Sequence, residues 1–93
     1  MKWQKYDPEW LVVLAEEQLP EEAWLPTALR ACTSYSVESK SYYYFVNRED
    51  VRRRGTEWQF KRNLFLHDKK EGELVLDVLE HQKIGGLEFL ARL

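Results

Sequence analysis

The stretch Glu57–His81, EWQFKRNLFLHDKKEGELVLDVLEH, constrains the fold more than any other part of this chain. Its apolar residues recur with the two-residue period of a half-buried strand. Trp58, Phe60, Leu64 and Leu66 share one face, and Gln59, Lys61, Asn63 and Phe65 share the other. Asp68 then suits the opening of a type I turn, and Gly72 suits the left-handed residue of a bulged hairpin loop. Glu73–His81 resumes the alternation, with Leu74, Leu76 and Val78 on one face. The reading is an antiparallel hairpin closed at residues 68–72. It places His67 near residue 73 and His81 at the opposite end, roughly 25 Å away at about 3.4 Å per residue.

Prolines and glycines order the rest. Pro8, Pro20 and Pro26 lie in the first third, and Gly55, Gly72, Gly85 and Gly86 lie in the second half. Proline favours helix starts and glycine favours turns, so helices are expected first and strands afterwards. Asp7 can cap a helix with Pro8 at its first position and Glu9 near the positive end of the dipole. Trp10, Leu11, Leu14 and Gln18/Leu19 keep a helical spacing while Glu16 and Glu17 face outward. Pro20 ends this helix or begins the next, Glu21–Trp24 read as a first turn after it, and a short turn then leads to a second helix expected at about Pro26–Ala31. From Thr33 the chain turns rich in β-branched and aromatic residues, which predicts strands at Thr33–Val37 and Tyr42–Val46 around a polar break. Gly85-Gly86 is read as the last turn, followed by a strand with Leu87, Phe89 and Ala91 on one face.

The expected fold class is α+β, with two short N-terminal helices packed on a four- or five-stranded antiparallel meander sheet, in a single domain spanning 1–93. One sheet face would meet the helices through Trp10, Leu14 and Leu29. The other is not purely polar, since Phe65, Val75, Leu79 and Leu90 can fall on it. An apolar stripe on a solvent face marks an interface or a groove. These four are therefore the candidate interface of a homodimer, unless the sheet curls and encloses them itself.

The segment Asn47–Gly55, NREDVRRRG, first suggests a grip on phosphate. Its order fits a short connector helix better: Asn47 as cap, Glu49 and Asp50 in the first turn, arginines in the last turn, and Gly55 as terminator. Glu49 with Arg53 and Asp50 with Arg54 are spaced for stabilising pairs.

Charge is segregated. Residues 1–37 carry a net −3, residues 38–70 a net +4 and residues 71–93 a net −3, within an overall net of −2. That overall balance gives no general attraction to nucleic acid or anionic membranes. The basic middle block nevertheless interleaves cations with aromatics, the combination that holds single strands. Arg48, Arg52, Lys61, Arg62 and Tyr43 are the candidate contacts. Because consecutive tyrosines alternate faces, Tyr42, Tyr43 and Tyr44 cannot form one stacking platform.

Catalytic chemistry finds little footing. No phosphate loop, dinucleotide fingerprint or nucleophile elbow is present, and no residue is assigned a catalytic, cofactor or metal role. The two histidines fall at opposite hairpin ends. Cys32, the only cysteine, excludes an internal disulfide and suits burial in a reducing compartment. The longest N-terminal apolar run, Trp10–Ala15, is far short of the ~20 residues a membrane span requires. The chain is accordingly read as a cytoplasmic, non-enzymatic interaction or accessory protein that self-associates or binds a larger protein. The alternatives are single-stranded nucleic-acid binding through residues 42–62, and a small-molecule pocket between helices and sheet lined by Trp24 and Trp58.

Overall fold

Two hairpins meet on the C-terminal strand in the computed structural model, which describes residues 2–47, 49 and 53–93. The chain forms β1 (Gln4–Lys5), α1 (Glu9–Gln18), α2 (Leu25–Arg30), β2 (Ser34–Ser39), β3 (Tyr42–Tyr44), β4 (Phe60–Asp68), β5 (Gly72–Leu79), β6 (Lys83–Phe89) and a closing 3-10 turn (Leu90–Arg92). All pairings are antiparallel, and the six strands stand in the order β1-β2-β3-β6-β5-β4. The fold is α+β with two helices packed on an antiparallel sheet, as expected, with six strands rather than four or five. The connection between β3 and β4 crosses to the far edge, so β6 becomes a central strand.

Local chemistry explains the element boundaries. Asp7 accepts the Glu9 amide at 3.1 Å in front of α1, and Pro26 sits in the first turn of α2, where its missing N–H costs nothing. Asp68 accepts the amides of Lys70 and Glu71 in the β4–β5 turn, and Gly72 has φ +82°. His67 pairs with Glu73 in the register the sequence predicts. In the long connection, Asn47 accepts the Glu49 amide at 3.0 Å, and Gly55 has φ +78°. Arg48, Asp50, Val51 and Arg52 lie outside the described residues, while Arg53 and Arg54, expected in the last helical turn, stand in coil and in a turn.

The helix side of the sheet holds the main core. Leu11, Val12, Ala15, Leu25 and Leu29 meet Leu64, Leu66, Leu74, Leu76, Val78, Ile84, Leu87 and Phe89. Trp10 and Leu14 are only half-buried at its margin. Trp10 stacks on Phe89 at 6.3 Å, and Tyr43 meets Phe89 edge-on at 5.0 Å.

Gly85-Gly86 is not the last turn. That turn is made by residues 80–82, with His81 and Gln82 at φ 65° and 57°. The glycines lie inside β6 at a bulge, where the register slips between the Asp77–Gly86 and Val78–Ile84 pairs. A bulge sets two consecutive residues against one on the partner strand. Here both glycines turn to the open face, away from the helices. A Cβ on Gly85 would lie 2.6 Å from the Trp58 ring, and one on Gly86 would lie 2.6 Å from Cζ of Tyr42. The glycines are there for close ring packing, not for a turn.

Arg92 ties the chain end to both hairpins. It lies 3.7 Å above the Phe89 ring, and donates to Glu71 in the β4–β5 turn at 2.9 Å, to the Lys40 carbonyl in the β2–β3 turn at 2.9 Å and to the Tyr43 hydroxyl at 3.0 Å. Arg92→Met keeps much of the apolar contact but removes these bonds. It is expected to lower stability by about 1–3 kcal/mol without altering the fold, as measured by urea denaturation with an unchanged m-value.

Candidate functional site

The two edges of the sheet are unequal. One ends in β1, only two residues long, while the other is β4, with nine. Along β4, Leu64 and Leu66 point into the helix-side core and Asn63, Phe65 and His67 point to the open face. In an antiparallel ladder, successive residues alternately aim their N–H and C=O groups at one neighbouring strand and at the other. His67 fixes the phase. Its amide donates to Oε1 of Gln18 at 2.8 Å, and its carbonyl accepts from Nε2 of the same side chain at 2.7 Å. His67 therefore addresses the outer edge, and so do Phe65 and Asn63, two and four residues before it. Among the described residues, nothing bonds the outward amides and carbonyls of Asn63 and Phe65.

Gln18 is the last residue of α1, and its amide imitates one peptide unit of an added strand. At the other end, the register slips between Phe60 and Arg62, which places a bulge at Lys61. The Arg62 guanidinium meets Glu22 at 3.0 Å and, together with the Trp24 indole N–H, holds that carboxyl below its usual pKa. The edge is thus closed by Gln18 at His67, interrupted at Lys61 and open between. Phe65, 61 % exposed, stands over the open stretch. A shallow groove of about 550 Å³, lined by Trp10, Val13, Leu14, Gln18 and His67 among others, adjoins the closed end.

The sequence-derived candidates distribute unevenly around this edge. Of the proposed interface, Phe65 and Leu90 are exposed, but Leu79 is fully buried and Val75 retains 7 % of its surface. Leu79 lies beneath Trp58 and Gly85, and Val75 sits between Phe65 and Glu88 in the register. The sheet encloses half the set and leaves half open, so the four do not form one docking patch. Of the nucleic-acid set, Lys61 and Arg62 are exposed on β4, and Arg48 and Arg52 lie outside the described residues. Tyr43 does not join them. It packs on the helix side with Tyr35, Phe89 and Arg92, three strands from β4 and so roughly 14 Å away. The supposed ligand pocket of Trp24 and Trp58 is not assembled either, because the two lie on opposite faces of the sheet. The bulge at Lys61 breaks the alternation that would have put Trp58 on the face of Leu64. Gln18 escaped sequence reasoning; its only signal is an amide at the end of an apolar helical stripe.

Away from the edge, burial raises the pKa of four groups that serve packing. On the open face, Tyr42 donates to Asp77 beside Gly86. Burial raises the pKa of both, and the bond partly offsets this for Asp77. Burial also pushes Tyr6 and the Cys32 thiol up to about 12. His67 bonds Glu73 through Nδ1 at 2.6 Å, and no group of three or more potential metal ligands occurs among the described residues. None of these helices is long and apolar enough to cross a membrane.

No protein-family model, curated protein or solved structure compared with this chain matches it.

Two outcomes follow from this geometry. Cys32, Tyr6 and Tyr42 keep their protons in the folded chain at pH values where the unfolded chain loses them. The unfolded state then binds fewer protons, so stability falls as pH rises. Denaturant titrations at stepped pH should show a decline from about 9 to about 12, with a limiting slope of about 1.4 kcal/mol per pH unit for each such group. Separately, Gln18→Ala removes both bonds to the His67 backbone. It is expected to cost about 1 kcal/mol and to speed exchange of the His67 amide, read by NMR hydrogen exchange.

Proposed function

We propose that this protein is a non-enzymatic interaction module that recruits an extended strand of a protein partner to the open edge of β4. The outward, unbonded backbone groups of Asn63 and Phe65 carry this reading. An exposed strand edge is a template for strand addition, in which main-chain hydrogen bonds supply affinity and neighbouring side chains supply selectivity. Phe65 offers an apolar contact on the open face, and Lys61 with the acid-paired Arg62 flanks the stretch. A reducing, cytoplasmic setting accords with the buried lone thiol of Cys32.

Single-stranded nucleic acid is the weaker reading. Among the described residues the aromatics beside its β4 cations are Phe60, Phe65 and Trp24, whose indole N–H is already bonded to Glu22, while Tyr43 is committed to the core.

Affinity capture from native lysate tests the proposal when wild type is compared with Asn63→Pro and the eluate is assayed for both protein and nucleic acid. Proline removes the outward amide at a position where the β4–β5 ladder does not need it. The expected outcome is a protein partner retained by wild type and depleted at least about tenfold by the variant, equivalent to about 1.4 kcal/mol. A partner held equally by both, or a nucleic acid alone, contradicts strand addition.

A further inference from the structure

The strand that best fits this edge is the edge itself. We propose that β4 of a second copy of this chain pairs antiparallel with β4 about a two-fold axis at Leu64. Asn63 of each copy then lies opposite Phe65 of the other, and the two sheets join into one. This deepens the strand-addition reading and rests on it.

The register follows from what is already closed. Gln18 occupies the outer groups of His67, and the bulge ends regular alternation at Lys61. Among the described residues, only Asn63 and Phe65 of the regular stretch remain open. Placing Phe65 opposite itself would set Asn63 against the plugged His67. Placing Asn63 opposite itself would set Phe65 against the bulged Lys61. The register centred on Leu64 alone satisfies both open residues of both copies, and each such pair exchanges two hydrogen bonds.

Side chains agree with that register. On the open face, Phe65 comes beside Asn63 of the second copy and diagonal to its Phe65. Diagonal neighbours stand roughly 7–8 Å apart, within reach of aromatic rings. The most exposed aromatic on the strand is thereby covered. Lys61 comes opposite His67 of the second copy, whose imidazole is bonded to Glu73. A cation of each copy thus meets an anion-bearing pair of the other. Arg62 faces Leu66, and the two Lys61 residues stand about 20 Å apart along the strands. No like charges oppose one another. The arrangement is isologous and consumes the long edges of both copies, leaving only the short β1 edges. It therefore closes at a dimer.

Sedimentation velocity of purified protein, from about 1 µM to about 1 mM, combined with NMR amide exchange, tests the pairing. The expected result is a monomer–dimer equilibrium in which the amides of Asn63 and Phe65 slow at least about tenfold on dimerisation. The Leu64 amide, already bonded to β5, should change little. Asn63→Pro should weaken the dimer at least about tenfold. Phe65→Lys, which leaves the backbone intact and sets two cations diagonally, should do the same if the proline variant fails to fold. A dimer whose Asn63 and Phe65 amides exchange freely, or that neither folded variant weakens, overturns the inference. A monomer across the whole range also overturns it. If that monomer still captures a protein partner that Asn63→Pro releases, strand addition stands with a different occupant. If it captures none, both readings fall.

Discussion

The rings of Tyr42 and Trp58 rest on the backbone of β6 because residues 85 and 86 have no side chains. The rest of the sheet depends on this contact. Among the described residues, β6 is the only strand that pairs with both the β2–β3 hairpin and the β4–β5 hairpin. Tyr42 comes from one side of it and Trp58 from the crossover that leads to the other. The Tyr42 hydroxyl reaches past Gly86 to Asp77 on β5, so one side chain spans three strands. A Cβ at either glycine would lift a ring, and the Tyr44–Trp58 ring contact that also joins the two halves on the open face depends on the same placement of Trp58. Burial raises the pKa of Asp77, and that is a cost of the arrangement. A hydrogen-bonded carboxylate there positions the ring more narrowly than an apolar neighbour could, because its acceptor geometry is directional.

A chain of 93 residues buries only a modest share of its surface, so packing on a second sheet face matters. The helix side supplies the larger core, with Phe89 at its centre between Trp10, Tyr43 and Arg92. The open face adds a smaller one: Leu79 beneath Trp58, and Tyr44 edge-on to Trp58 at 5.8 Å. That second core stops short of β4. Beyond Val75 the open face is lined by Phe65, Asn63 and His67, all exposed. On this face the exposed ring of Phe65 thus stands where the backbone is also unpaired.

Local features with a single physical cause were legible in the sequence. The β4–β5 hairpin reads correctly because alternation, Asp68 and Gly72 all specify one register. The alternation of Tyr42, Tyr43 and Tyr44 places the middle ring on the opposite face from its neighbours, as observed. Features with two competing causes were not legible. Glycine permits a turn and it also permits a close ring, and the sequence cannot weigh an aromatic that arrives from 27 positions away. The actual turn falls on His81 and Gln82, whose left-handed backbone carries no compositional mark. Bulges are equally silent. One extra residue at Lys61 inverts the expected facing of Trp58, and that inversion dissolves the pocket with Trp24 that the alternation had suggested.

Gln18 shows why an edge cannot be read from its own strand. Nothing in FKRNLFLHD distinguishes His67 from Phe65 as a backbone donor; the difference is a side chain 49 residues earlier that folds over one end. Long unpaired edges are commonly blunted by charges, bulges or covering groups that prevent uncontrolled association. Here Lys61, its bulge and Gln18 are all present, yet each sits at an end of the edge and none at its middle. Protection placed at both ends limits how much strand can be added without forbidding addition. It also fixes where an added strand must begin and stop. An edge meant only to stay unpaired would gain most from a charge at residue 65, its exposed centre. That position holds phenylalanine.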